Sequence, residues 1–430
     1  MGDGRAGYPA SFACVFPGFY RKGAYPQMKR SSSSHRLGRS ATAAFALAAV
    51  LTGTVLTAVP ASAAAGDHHN DLQHSVDALV KAGAVGTLVR VDDGHKLRTA
   101  TAGLADRETK RRLKNKDQYE AGSQTKTFVA VLTLQLAAQG KLKLDAPVEK
   151  YLPGVVPNGQ KITVRMLLQH TSGLFNYTED EQAFKEILAD PEREATPQEL
   201  LEVGFRNDPY FAPGQGWHYS NTGYIVLGEM LHQVTGQPVK TLIQQKIAKP
   251  LRLRDTYLAD PKVANPGPGF AHGYLTEVAD GRFSYADTSQ WSLSWAGSAG
   301  AVVSTARDLS TFYSTLLGGD LLPKAQLNEM KKTVDLSEEW GAPIGYGLGL
   351  YRQETPCGTG WGHDGGTLGH NTTTLVSSDG KRSVAGDVNN AFVSSEAQED
   401  PALERFALAQ GQVQLVAVCA MFGKEVPAQK

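Results

Sequence analysis

From Thr125 onward the apolar positions Phe128, Val129, Val131, Leu132, Leu134 and Leu136 lie all around a helical wheel and Gly140 stops the run, which predicts a buried helix rather than a surface one. Upstream, Leu72, Val76, Leu79 and Val80 mark one face of a helix over 70–82. The segments 87–91 and 97–102 flank Asp92-Asp93-Gly94, a hairpin signal that puts an antiparallel sheet edge before the central helix. Lys110, Arg111 and Arg112, in the connection, are assigned to solvent. From 144 to 290 the pattern changes to helices and long irregular loops. Helices are expected at 162–170, ending at Thr171-Ser172-Gly173, at 197–203, and at 221–235, where Gly236 is the stop. This reads as a helical lobe (144–290) inserted in a sheet lobe (70–143 and 291–422). After Trp295 the expected elements are a strand at 299–304, a helix at 306–317, and a strand at 346–350 that its glycines keep flat or bulged. A hairpin follows, with arms 372–376 and 382–385 around Ser378-Asp379-Gly380-Lys381, and then a closing helix at 401–420.

The amino terminus has a different logic. Residues 1–27 fit no targeting or fold pattern and read as an upstream extension. Met28 begins a basic region (Lys29, Arg30, Arg36, Arg39), an apolar stretch at 41–59 and a small-residue site, Ala61-Ser62-Ala63, the order of a cleavable signal peptide over 28–63. The competing reading is a membrane anchor, because the apolar run is nearly long enough to span; the cleavage site directly behind it favours secretion without a stable anchor. That leaves 64–430 as one catalytic domain. Across 430 residues, 43 Lys+Arg balance 43 Asp+Glu, which argues against a nucleic-acid partner. The histidines show no metal-ligand spacing, and His68-His69 is placed in the linker behind the signal with no role.

The candidate chemistry starts at the head of the buried helix, where Ser123 and Lys126 stand three apart on one helical face. A lysine stripped of water can lose its proton and serve as the base that activates a serine, and the helix dipole favours an alkoxide there. Taken alone, the pair reads equally as a helix cap beside a solvated lysine. The chain carries its own control: Ser378 and Lys381 have the same spacing, on a turn with no helix behind it. Further on, Tyr219-Ser220-Asn221 precedes the 221–235 helix, where Ser220 or Asn221 reads as an N-cap and Tyr219 as loop packing. Trp361-Gly362-His363-Asp364-Gly365-Gly366 lies on an expected strand.

A serine–lysine pair, then Tyr-x-Asn, then a basic residue followed by x-Gly on a strand is the motif order of penicillin-recognising serine enzymes. With His363 in the third motif and a tyrosine opening the second, the chain resembles secreted D-alanyl-D-alanine carboxypeptidases related to class C β-lactamases and family esterases. The resemblance runs from about His74 to Cys419 and includes the flanks 167–174, 294–300 and 345–350. It implies an α/β fold of the α+β type: a central antiparallel sheet flanked by helices, the two terminal helices on one face and an inserted all-helical lobe on the other, with the site between. It also implies roles. Ser123 attacks, Lys126 bonds to it, and Tyr219 relays the proton as phenolate or through the lysine. Asn221 holds a substrate amide, His363 orients Tyr219 and adds positive character, and Trp295 either lines the cleft or belongs to the core. Asp364 and Gly365 complete the strand motif. The backbone N–H groups of Ser123 and of Gly366, on an edge strand, form the oxyanion hole.

The chain departs from these relatives where carboxypeptidases hold the terminal carboxylate with an arginine and two threonines, because here those places are Tyr351, Asp364 and Gly366. Arg352, given a bulge, or Thr367 are the candidate substitutes. Secretion leaves Cys357 and Cys419 as the only cysteines of the mature chain and in an oxidising compartment, so a disulfide is expected, as the resemblance also suggests; two buried thiols are the alternative. The functional expectation is a monomeric acyl-enzyme hydrolase without a cofactor, acting on D-alanyl-D-alanine peptides and acylated by β-lactams. An esterase, a D-amino-acid amidase or a class C-like β-lactamase on the same machinery is the alternative, and a non-catalytic penicillin-binding sensor is a third.

Overall fold

The computed structural model describes residues 68–261, 267–392 and 400–427; the expected extension 1–27 and signal segment 28–63 lie outside them. Helix α1 (His68–Lys81) starts two residues earlier than expected, so His68 and His69 open a helix rather than sit in a linker. Its Leu72, Val76 and Leu79, spaced four and three apart, are fully buried. Strands β1 (Gly86–Asp92) and β2 (Leu97–Asp106) pair antiparallel across the Asp93 turn, whose carboxylate accepts the amides of His95 at 2.8 Å and Lys96 at 2.7 Å. Strand β3 (Arg111–Arg112) adds to β2, and Arg111 corrects its assignment to solvent. Its guanidinium pairs with buried Asp117 at 2.8 Å and donates to the Phe270 carbonyl, because a buried carboxylate is costly without a cation. Strand β4 (Tyr119–Gly122) stands outside this sheet and leads into the buried helix α2 (Thr125–Ala138).

The insert carries α3 (Val164–Gln169), α4 (Glu181–Ala189), α5 (Pro197–Arg206) and α6 (Asn221–Thr235), with Gly236 capping α6 at φ 68°. Past residue 251 the all-helical expectation is corrected by β5 (Tyr257–Leu258), β6 (Tyr274–Ala279) and β7 (Arg282–Asp287). The last two form a hairpin about Asp280-Gly281, the same turn signal as elsewhere in the chain. Strand β8 (Val302–Ser304) is shorter than expected because Gly297–Gly300 make a helical turn first. After the helix Ala306–Gly318 come β9 (Val334–Asp335) and β10 (Ile344–Tyr346). The strand expected at 346–350 ends at Tyr346; the Gly347 amide donates to the Leu350 carbonyl at 2.8 Å and the chain reverses into β11 (Tyr351–Thr355). Then follow β12 (Gly358–Gly366), β13 (Asn371–Ser377), β14 (Ser383–Val388), β15 (Ala391–Phe392) and the C-terminal helix Pro401–Met421.

The main sheet is antiparallel and nine-stranded, in the order β3-β2-β1-β14-β13-β12-β11-β10-β9. Two small sheets, β4-β8-β5 and β15-β6-β7, sit beside it. Alternate residues of the central strands feed two cores. Leu375 and Val384 pack with α1 and the C-terminal helix, while Val376 and Ala385 pack with α2 and α6. Cys357 and Cys419 are joined by a disulfide with Cα atoms 5.0 Å apart, tying the turn before β12 to the C-terminal helix. Among the described residues no helix is long and apolar enough to cross a membrane.

Candidate active site

Ser123 sits on the sharp connection between β4 and α2, and buried hydrogen bonds fix that connection from both sides. The Thr125 hydroxyl donates to the Gly122 carbonyl at 2.7 Å and accepts the Val302 amide at 2.9 Å. Gln124 donates to the Thr372 hydroxyl at 2.8 Å, and Thr372 donates to the Ala121 carbonyl at 3.0 Å. Glycine is required where β4 meets β12. A Cβ on Gly122 would lie 2.7 Å from the Gly366 nitrogen, and one on Gly365 would lie 2.0 Å from the Ala121 oxygen. The Gly366 N–H is thereby pressed against the serine turn. β12 is an interior strand, which corrects the expected edge position. Its pairing with β11 begins only at Gly362, so residues 363–366 present a local edge on that side.

The fully buried Lys126 amine contacts the Ser123 Oγ at 3.0 Å, the Asn221 Oδ1 at 2.7 Å and the Ala299 carbonyl at 2.8 Å. The last two partners only accept; Asn221 Nδ2 donates to Thr178 at 3.0 Å, which sets the orientation of its amide. A neutral amine satisfies this geometry completely. Its two N–H groups go to the two acceptors, and its lone pair receives the Ser123 hydroxyl. Loss of water holds the Lys126 pKa well below the usual lysine range, and Asp364 offsets this only in part. Tyr219 hydrogen-bonds to Ser123, and its ring lies 4.7 Å from the Lys126 nitrogen. Burial raises the Tyr219 pKa well above its usual value, with the Ser123 bond acting against the shift, so the phenol keeps its proton.

Two residues quoted in the sequence as flanks, without a role, complete the site. The Ser220 amide donates to His170 Nδ1 at 3.1 Å, which leaves the His170 proton on Nε2, 3.1 Å from the Tyr346 hydroxyl. Burial, together with Lys126 and His363 nearby, keeps His170 well below the usual histidine range. Tyr346 in turn lies 3.1 Å from His363 Nε2, and His363 Nδ1 donates to the Asp364 carbonyl at 2.6 Å. One direction of donation, from His170 through Tyr346 to His363 and on to Asp364, satisfies every ring nitrogen with both histidines neutral. His363 Nδ1 also lies 3.3 Å from the Asp364 carboxylate. His363 is not the ring beside Tyr219: that is His170, whose centroid is 4.3 Å away.

Ser123, Tyr219, Asn221, Trp295, Asp364, Gly365 and Gly366 line one open cleft, while Lys126 and His363 are buried behind its wall. Trp295 does both things the sequence allowed: it is 7% exposed in an apolar cluster and still forms cleft wall. Asn176, Tyr177 and Thr178, which sequence patterns did not single out, line the cleft too, beside Asn221 and Trp295; Tyr177 donates to the Trp295 carbonyl at 2.6 Å. Neither candidate substitute for a carboxylate pocket reaches the cleft. The β11–β12 register runs unshifted, Tyr351 against Gly362 and Arg352 against Trp361, so Tyr351 lines the cleft and Arg352 bonds to Glu354 outside it. Thr367 is buried, accepting the amides of Gly369 at 3.3 Å and His370 at 3.1 Å.

Comparison with known proteins agrees with this architecture. The structure of a D-stereospecific amidohydrolase from Streptomyces sp. is 41% identical, with a TM-score of 0.69, and covers 75% of this chain and 94% of that one. A D-amino acid amidase from Ochrobactrum anthropi SV3, complexed with L-phenylalanine amide, is 26% identical at a TM-score of 0.69, covering 81% and 98%. Penicillin-binding protein 4* of Bacillus subtilis (strain 168) is 28% identical over 299 residues, 67% of this chain and 64% of its own length. The chain thus spans just under two thirds of that curated relative. The family model described as Beta-lactamase matches residues 72–409. With a mixed α/β fold, a large antiparallel sheet between helices and a match over most of its length, the chain belongs to the Beta-lactamase family of serine hydrolases.

Proposed function

We propose that the protein is an exported D-aminoacyl amide or ester hydrolase that works through an acyl-enzyme on Ser123. The observation that carries the reading is the Lys126 amine, whose two acceptor-only partners leave its lone pair for the Ser123 proton. Ser123 Oγ attacks the substrate carbonyl as Lys126 takes its proton. The backbone N–H groups of Ser123 and Gly366 receive the oxyanion. Tyr219, hydrogen-bonded to Ser123, passes the proton to the leaving group, and water then repeats the sequence in reverse to release the acid. Asn221 and Trp295 shape the acyl site. Export is supported by the 28–63 segment and by the Cys357–Cys419 disulfide, which suits an oxidising compartment.

The choice of amides and esters over free-acid D-alanyl-D-alanine termini rests on the cleft, where the carboxypeptidase pocket is replaced by Tyr351, Asp364 and Gly366. The names of the Streptomyces and Ochrobactrum relatives support the D-configured acyl group. Losing a charged hydrogen-bond donor costs about 1.5–3 kcal/mol, so kcat/KM for a D-alanyl-D-alanine-terminated peptide should fall about tenfold or more below that for its methyl ester. Measuring both substrates tests the reading. A preference for the free acid would return the protein to the carboxypeptidases.

A further inference from the structure

Asp364 is the one cleft-lining residue with a formal charge: serine, asparagines, threonine, aromatics, alanines and glycines make up the rest. Its side chain is 34% exposed, with His363 Nδ1 at 3.3 Å. That ring is fully buried behind the cleft wall, so Asp364 is the charged group a ligand in the cleft meets. Lys126 is fully buried and turned toward Ser123, Asn221 and Ala299 rather than into the cleft. Arg352, the cation one residue from the cleft wall, is committed to Glu354 on the other side of the strand. The result is a cleft whose one charged wall group is a part-exposed carboxylate beside aromatic walls, Tyr351 and Trp295, a combination that attracts cations through both charge and ring quadrupoles.

Asp364 lies two residues before Gly366 on β12, so its side chain emerges on the same strand face as the proposed oxyanion donor, one pleat away. With Asn221 and Trp295 proposed to shape the acyl site, the β12 wall that carries Asp364 is left for the group that departs when the acyl-enzyme forms. We propose that Asp364 makes the leaving-group subsite selective for a positively charged leaving group, an ester or amide of an alkylammonium alcohol or amine. The proposal deepens the hydrolase reading and rests on it. In the step concerned, the bond from Ser123 Oγ to the carbonyl carbon forms and the bond from that carbon to the leaving oxygen or nitrogen breaks. The Ser123 proton ends on the leaving group, whose fixed positive charge stays against Asp364 until it diffuses away.

The test joins one N-acetyl-D-alanyl group to three alcohols: 2-(trimethylammonio)ethyl, its neutral isostere 3,3-dimethylbutyl, and carboxymethyl. For the wild-type chain kcat/KM should be about tenfold higher for the cationic ester than for the neutral one, lowest for the anionic one, and the ratio should shrink with added salt. Asp364→Asn should bring the cationic-to-neutral ratio close to one, and Asp364→Lys should invert the order of the charged pair. A wild-type ratio near one overturns the proposal whatever the variants do. So does an unchanged ratio in Asp364→Asn. A fourth substrate carries the ammonium on the acyl group and 3,3-dimethylbutyl as the leaving group; a preference for it alone would place Asp364 against the acyl moiety and overturn the leaving-group assignment. If none of the esters is turned over, the hydrolase reading falls and this proposal with it, whereas turnover without charge preference removes only this proposal.

Discussion

The chain contains two serine–lysine pairs at the same spacing, and they differ in everything but that spacing. Ser123 and Lys126 stand at the head of a buried helix, with the amine fully enclosed and bonded to Ser123, Asn221 and Ala299. Ser378 and Lys381 stand on the turn between β13 and β14. Ser378 accepts the Trp361 indole N–H at 3.1 Å, while the Lys381 side chain is 79% exposed with Asp379 at 4.0 Å. What separates them is the loss of water around the amine, which favours the neutral base over the hydrated cation, and the two acceptors that hold it against the hydroxyl. A motif of two residue types carries no chemistry until the fold has decided what surrounds it.

Breaking the buried pair should have the largest effect. Ser123→Ala is expected to lower ester turnover on the order of 10⁶-fold, to background, and to abolish covalent labelling by an acylating β-lactam probe. Peptide mapping of the labelled wild-type protein checks the position, and an adduct on any other residue would refute the assignment. Tyr219→Phe comes next. Removing the hydroxyl that bonds Ser123 should cost about 10² to 10⁴ in kcat, the usual scale of a general acid–base group, with the fold retained by circular dichroism. Full turnover in Tyr219→Phe would leave Lys126 to move the proton alone.

Much of this could be read in the linear chain, and the reasons are local. Helix α6 runs over the expected 221–235 because Gly236 supplies the left-handed stop directly behind it. The β13–β14 hairpin was visible because its Asp-Gly turn lies between apolar arms. The β6–β7 hairpin carries the same Asp-Gly signal but is not among the expected elements, since its second strand is mostly exposed and only Phe283 and Tyr285 alternate inward. The catalytic pair and the tyrosine were legible as motifs. The bond from His170 to Tyr346 was not, because it joins residues 176 apart and neither side chain has a local reason to be where it is. His363 shows the same limit from the other side: its place on β12 is legible, but its contact with Tyr346 comes from tertiary packing.

A smaller effect is expected one layer behind the site. Tyr346→Phe removes the hydroxyl between His170 Nε2 and His363 Nε2, leaving two buried ring nitrogens to share a gap. The Tyr219 ring rests on His170, so its aim toward Ser123 should loosen. The expected result is a fall in kcat of about tenfold with KM little changed, as when a positioning contact rather than a binding contact is lost. Tyr346→Phe with wild-type kinetics would show that packing alone holds His170 and Tyr219.

The smallest effect belongs to the exposed pair, and it completes the comparison. Ser378→Ala deletes the acceptor of the Trp361 indole N–H, and Trp361 is 6% exposed, so the indole keeps little access to water as a substitute. A cost of about 1–3 kcal/mol in unfolding free energy is expected, the usual penalty for a buried donor left without a partner, measured by denaturant titration. Lys381→Ala removes a hydrated side chain whose carboxylate neighbour is itself 54% exposed, and surface pairs of that kind contribute little. Neither substitution touches the cleft, so kcat/KM for the neutral ester should match wild type in the double variant. If turnover or β-lactam labelling fell with Ser378→Ala while the protein stayed folded, the chemistry would not belong to the buried pair alone, and the role given to the desolvated amine would have to be withdrawn.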